Sequence, residues 1–292
     1  MARRSGLEFA QRDIFKLFDE RQDNVFRQSQ LSQILSENSY SWQLPASTTI
    51  RRFIKFLTEE GKLKKHRFAF PHQAETRYAW DNRATIYDIV STFRSNGYFS
   101  HLSALYLHKL VDGYDGFIYF NSEQKPHPRY STRLSQGGID SAFKRKQRQT
   151  TNFVKADDYT IYLLNGKNTK RLGVIEVTTP EGTFDCTNIE RTLVDVVVRP
   201  NYSGGLANII IAYKEAKGRV STNKMVAYLR ELDHAYPYHQ SVGFLLEHTG
   251  YPGEVIDLFQ KLPRDYDFYL THQMKEPTYN SKWKLFVPKE LA

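Results

Sequence analysis

The stretch PASTTIRRFIKFLTEEGKLKK, Pro45–Lys65, decides how the N-terminal part of this chain folds. Ile50, Phe53, Ile54 and Leu57 recur at i, i+3, i+4 and i+7, which places four apolar side chains on one stripe of a helix. Thr48, Arg51, Arg52 and Lys55 repeat that spacing two positions earlier, about 200° around the axis. The second stripe offers hydroxyls and cations and no carboxylate, and the acidic pair Glu59 and Glu60 waits until the last turn, before Gly61. Pro45 and Ser47 read as the helix start. A helix that packs on one face and offers Ser, Thr and Arg at its N-terminal half on the other suits the major groove of DNA. Short side chains such as Ser47, Thr48 and Thr49 let it sink, and Arg51, Arg52 and Lys55 reach phosphates or guanine edges.

The flanks supply the rest of a winged helix-turn-helix. Glu8–Glu20 carries Phe9, Ile14, Leu17 and Phe18, an amphipathic first helix, and Gln28–Glu37 carries Leu31, Ile34 and Leu35, a shorter second one. SYSWQLPAS is the turn between the second and third helices. After Gly61, KLKKHRFAFPHQAETRYAW reads as two strands joined at Pro71–Glu75, with Lys64, Lys65 and Arg67 on the first as wing contacts to the DNA backbone. The plainer alternative is a small helical domain with a solvated basic face.

At 292 residues the chain is long enough for two domains, expected at 1–82 and 83–292. The net charge of +9 favours a polyanionic partner, with the excess spread along the chain. Residues 1–82 hold 14 Lys+Arg against 10 Asp+Glu, a surplus of 4. The single cysteine, Cys186, rules out an intrachain disulfide framework and a cysteine-rich zinc site, and suits a reducing cytosol. MARRSGLEFAQRD is basic without an apolar run, and nothing approaches the roughly 20 apolar residues of a membrane helix. The expectation is a cytoplasmic protein without a membrane partner.

Beyond the wing, Thr85–Leu110 reads as helical in two pieces. Ser100 is the candidate N-cap of the second, and Leu102, Leu105, Tyr106 and Leu110 form its buried side. GFIYFNSE, NFVKADDYTIYLLNG, KRLGVIEVTTP and GTFDCTN are strand-like, interrupted by the helix GIDSAFKRKQRQ. From Ile189 helices return, at Ile189–Val198, Gly205–Lys217, Thr222–His234 and Tyr238–Thr249. DFYLTHQM and WKLFVPK close the chain as strands. The class is α+β: an N-terminal winged helix-turn-helix followed by a larger α+β domain.

No complete catalytic constellation emerges, and no cofactor or metal is implied. The nearest approach to a metal-dependent nuclease is Glu176-Val177-Thr178 with Asp157 and Asp158 upstream, where threonine stands in place of the lysine that would help activate water. His101 and His108 lie seven apart without a carboxylate or thiol partner. His234, His239 and His248 lack metal-ligand spacing. Ser203-Gly204-Gly205 has no following GK[ST] and reads as a turn into a helix. Lys144, Arg145, Lys146 and Arg148 are either a solvated helix end or a second nucleic-acid contact.

Three further strings, YFSHLSALYLHKL, TNIERTLVDVVVRPNYSGG and AYPYHQSVGFLLE, in this order behind a winged helix, resemble the AbiEi family of antitoxins. The similarity runs from about Arg12 to Tyr251, and Thr187–Gly205 is its most specific part. The resemblance implies a non-enzymatic antitoxin. Its winged helix would bind inverted repeats in the promoter of its own operon, and its C-terminal domain would counter a nucleotidyltransferase toxin without a stable complex. Glu190–Asp195 would then be structural rather than catalytic. A stand-alone phage-defence or genomic-island regulator without a toxin is the alternative, and a DNA nuclease is a third reading.

Overall fold

A computed structural model describes residues 5–112, 116–126 and 134–292 of the chain. The class is α+β, divided into two compact units. The first comprises Met1–Ser95 with Val154–Ala156 and Pro180–Gly182. The second comprises Asn96–Phe153, Asp157–Thr179 and Thr183–Ala292.

The first unit begins with helix α1, Gly6–Glu20, opened by a reciprocal cap in which Ser5 and Glu8 satisfy each other's backbone N–H. Leu7, Ala10, Ile14 and Phe18 are its buried side. Phe9, expected inside, is 72% exposed, because nine residues separate it from Phe18 and turn it roughly 180° away. Strand β1 (Val25–Phe26), helix α2 (Gln28–Asn38), helix α3 (Ile50–Glu59) and strands β2 (Leu63–Ala69) and β3 (Ala74–Trp80) follow. The strands form an antiparallel sheet in the order β1-β3-β2, with Phe26 opposite Tyr78 and Leu63 opposite Trp80.

Aromatic rings join helices to sheet. Phe18 stacks on Trp80 at 4.6 Å, and Phe53 lies 5.9 Å from Trp42. The Trp80 indole donates to Asp19 at 2.8 Å, which satisfies the one polar atom this fully buried ring carries. Helix α4 (Ile86–Ser91) belongs to this unit, which therefore extends past the boundary expected at Asn82. The reason is Arg77 on β3. It donates to Thr92 and Glu75 and lies 5.1 Å over the Phe93 ring, while Phe68 and Phe70 pack on the same ring.

The second unit holds strand β4 (Tyr98–Phe99), helix α5 (His101–Leu107), strand β5 (Phe117–Glu123), helix α6 (Gln136–Lys144), Phe153 of strand β6 (Phe153–Ala156), strands β7 (Tyr159–Gly166) and β8 (Val174–Thr179), and all but the first residue of β9 (Gly182–Thr187). The helix expected over Thr85–Leu110 is thus interrupted by a strand. The long strand expected at Asn152–Gly166 bends at Asp157, which takes a left-handed φ of 50°. The six strands form one mixed sheet, β6-β7-β5-β4-β9-β8, in which β5 runs parallel to β7 and β4 parallel to β9.

Helices α7 (Ile189–Val198), α8 (Leu206–Glu215), α9 (Thr222–Leu232), α10 (Tyr238–His248) and α11 (Gly253–Gln260) follow the sheet. Strands β10 (Phe268–Tyr269), β11 (Thr278–Asn280) and β12 (Leu285–Val287) then form a small sheet ordered β10-β12-β11, in which β11 was not expected. Helix α7 is buried from Glu190 to Val197 and is central to the core. Helix α10 approaches Trp283 so closely that a Cβ at Gly243 would meet the indole at 2.2 Å.

Candidate nucleic-acid interface

Helix α3 is shorter than expected. Pro45 and Ser47 do not start it; the Thr48 N–H closes a turn onto the Pro45 carbonyl at 2.9 Å, and Thr49 is the N-cap. The Thr49 backbone is extended and its hydroxyl accepts from the Arg52 N–H at 3.3 Å. Ser47, Thr48 and Thr49 therefore sit ahead of the helix, with Thr48 half-buried, and only Arg51, Arg52 and Lys55 lie on it. Phe53, Phe56 and Leu57 are buried beneath, while Ile50 and Ile54 are only partly covered. Phe56 replaces the flanks of the expected stripe, because its ring reaches Phe15 of α1 at 6.5 Å.

Arg51 and Arg52 are exposed, and among the described residues neither has an ion pair or side-chain hydrogen bond. Lys55 is exposed but stands 3.5 Å from Glu59, so the cationic stripe does carry one carboxylate. Both partners are more than 60% exposed, and such a pair is worth only a few tenths of a kcal/mol, easily exchanged for a phosphate. Glu60 is turned aside, accepting from Gln11 at 2.6 Å. In the α2–α3 connection Tyr40 is 94% exposed, a phenol able to donate to a phosphate that the sequence reading did not single out.

Lys64, Lys65 and Arg67 are all exposed on β2, an edge strand, but they do not share a face. Strand alternation puts Lys65 and Arg67 on the face of Leu63, and their partners Tyr78 and Thr76 on that of Trp80. Leu63, Tyr78 and Trp80 pack in the core with α3, so Lys65 and Arg67 lie on the α3 side. Lys64 falls with Phe68 on the opposite face, toward Phe93. Lys62, in the same basic run, is held by Asp81 at 3.1 Å.

In the second unit Lys144 is the last residue of α6, Arg145 is its C-cap, and Lys146 and Arg148 lie in the extended segment beyond. All four are exposed. Gln147 between them is buried and donates to the Val198 carbonyl at 3.0 Å, which pins the segment to α7. Lys146 lines a groove of about 440 Å³ with Asn201, Gly205, Gln273 and Lys275. Gly204 and Gly205, both at positive φ, turn the chain into α8 beside it.

The acidic residues considered for a nuclease are not brought together. Asp157 and Asp158 form the β6–β7 turn and Glu176 lies on β8, at opposite edges of the strand order, all exposed. Among the described residues no group of three His, Cys, Asp or Glu side chains could hold a metal ion. His108 does have a thiol neighbour, Cys186 at 4.0 Å, but its Nε2 engages the Thr187 carbonyl at 2.7 Å. Burial pushes the Cys186 thiol up and the His108 imidazole down. Burial also holds His101 and His234 down to about 4, so both are neutral at physiological pH. Glu190 accepts from the Ser221 N–H at 3.1 Å, and Arg191 meets Asp195 and the Leu172 carbonyl at 2.8 and 2.7 Å. These α7 charges have their hydrogen bonds within the protein.

No protein-family model and no curated protein sequence matches the chain. Among solved structures it is similar to the crystal structure of the RV2827C protein from Mycobacterium tuberculosis. That match has a TM-score of 0.61 at 14% identity over 95% of this chain and 90% of that one. The likeness is one of fold. Among the described residues no helix is long and apolar enough to cross a membrane.

Proposed function

We propose that the chain is a cytoplasmic DNA-binding antitoxin of AbiEi type, which represses its own toxin–antitoxin operon. The reading makes the first unit a winged helix-turn-helix, with α3 in the major groove of operator inverted repeats and the β2–β3 hairpin as its wing. One observation supports it most. Arg51 and Arg52 stand exposed and unpaired among the described residues, on a helix whose opposite side is anchored by Phe53, Phe56 and Leu57. Free guanidiniums on a rigid helix can engage guanine edges and phosphates without first breaking internal ion pairs. Lys65 and Arg67 extend the same cationic face along the wing.

The antitoxin role rests on the sequence resemblance, with a nucleotidyltransferase as the opposed toxin. Expressing the neighbouring gene alone and together with this one tests it. Growth arrest relieved by co-expression supports the role, and arrest that persists refutes it. Arrest relieved by the second domain alone would assign neutralisation to that domain and not to repression. For the operator reading, a gel-shift titration with the DNA upstream of the gene should give saturable binding that Arg51→Ala/Arg52→Ala weakens about 10-fold or more. Binding unchanged by that variant contradicts the groove assignment.

A further inference from the structure

The second unit carries an aromatic surface that the DNA-binding reading does not use. Phe117 on β5 and Phe153 on β6 are 39% and 37% exposed, although both are large apolar rings. Between them on β7 stands Tyr162, with its ring 5.2 Å from Phe153 and 6.3 Å from Phe117. The three rings thus form a row across the adjacent strands β6-β7-β5. The row is backed by Tyr119, the register partner of Tyr162, stacked on it at 5.0 Å, and by Tyr202, 5.2 Å from Tyr119. Strand spacing and side-chain alternation hold these rings side by side on one face. They are preset, and binding need not order them.

The basic segment adjoins this row. Lys144, Arg145, Lys146 and Arg148 are exposed, and among the described residues none is in an ion pair. The segment joins two features. Lys146, Gln147 and Gln149 line the 440 Å³ groove, and the next residue, Thr150, donates its N–H to the Tyr202 hydroxyl at 2.7 Å. One side of the segment therefore faces a groove edged by Lys146 and Lys275, and its far end is tied to the ring cluster.

We infer that this face of the second unit binds single-stranded nucleic acid, with bases stacking on Phe153, Tyr162 and Phe117 and the phosphate backbone running along Lys144–Arg148. Rows of sheet aromatics beside a cationic track are how unpaired strands are held, because every base offers a π-face while its backbone offers charge. A duplex keeps its base faces stacked inside and can use only the cations. A purely apolar protein partner would leave the four cations without counterpart. This inference does not depend on α3 contacting DNA.

The test is a fluorescence anisotropy titration of the full-length protein. The probes are a labelled mixed-sequence RNA strand of about 12 nucleotides, the same strand as DNA, and the corresponding duplex. Ring-dependent binding of either single strand, weakening steeply as salt rises, is expected. Phe117→Ala/Phe153→Ala should weaken it roughly 10-fold or more while duplex binding is unchanged. Phe117→Leu/Phe153→Leu, which keeps apolar volume and removes only the π-faces, should do the same and guards against misfolding of the alanine variant. Replacing the four cations by glutamine should flatten the salt dependence.

Absence of single-strand binding overturns the inference, and so does binding indifferent to both ring variants. A concentration-dependent dimer that the ring substitutions dissociate, with no strand bound, would assign the face to a second copy of the chain and overturn it too. Arg51→Ala/Arg52→Ala is expected to leave single-strand binding intact, so this outcome is separable from that for the operator.

Discussion

Helices α3 and α7 are each ten residues long, and each carries arginine in its first turn. In α3 the charges point outward: Arg51 and Arg52 are exposed above Phe53, Phe56 and Leu57, which hold the helix to its unit. In α7 the charges are inside. Arg191 and Asp195 are each about nine-tenths buried and bonded to one another at 2.8 Å, and Glu190 accepts from the N-terminal end of α9. The residue types are similar and their consequences are opposite. Where a charged group is already satisfied within the fold, its removal should cost stability; where it is left unsatisfied at the surface, its removal should cost binding. What separates the two helices is pairing and burial, which the list of residues does not reveal.

The sharpest way to break this comparison is to remove one member of the α7 pair. Arg191→Leu strands Asp195 in the interior and should destabilise the second unit by about 3–5 kcal/mol, read by denaturant unfolding monitored at Trp283. A loss under 1 kcal/mol would mean water reaches the pair. The matching change in α3 is apolar: Phe53→Ala, at a fully buried ring, should destabilise the first unit by about 3–4 kcal/mol, reported by Trp42 and Trp80. Arg51→Ala/Arg52→Ala should by contrast leave the unfolding midpoint within about 0.5 kcal/mol of the parent.

The histidines sharpen the contrast through pH. His101 and His234, both in the second unit, are held down to about 4, below the usual imidazole value near 6.5. Between those values the unfolded chain binds protons that the folded chain does not. Stability is therefore full above about pH 6.5 and falls as pH drops toward 4, by on the order of 1 kcal/mol per pH unit for each histidine. The second unit should lose midpoint between pH 7 and 5, and His234→Phe, which keeps the ring contact with Tyr238, should flatten that loss. Equal pH responses at Trp283 and at Trp42/Trp80 would contradict it. The smallest expected effect concerns the β2–β3 hairpin. Lys64→Ala should weaken operator binding less than Lys65→Ala or Arg67→Ala, since only the latter two share the face of α3.

Much of this was legible in the sequence where the signal is local. The three N-terminal helices, the hairpin and the helix at Ile189–Val198 followed from periodicity, caps and turn residues. The start of α3 was misplaced because Pro45 favours a first helical turn, yet here the next residues close a separate turn and Thr49 takes the cap. Phe9 was misplaced because apolar identity outweighed its angular position. What no local pattern could supply was long-range: Arg77 tying α4 to the hairpin, Glu176 landing far in strand order from Asp157, and three rings from separate strands meeting in a row. Parallel pairing of β5 with β7 brings Phe117 and Tyr162 together across more than forty residues of chain.

The most direct test of the central claim is the affinity of Arg51→Ala/Arg52→Ala for the DNA upstream of its own gene, measured across a salt series beside the parent protein. The parent should bind with a steep negative slope of log affinity against log salt. The variant, equally stable, should lose about 10-fold or more in affinity and roughly two units of that slope, one for each phosphate contact removed. A variant that keeps both the parent's affinity and its slope would show that α3 does not contact DNA.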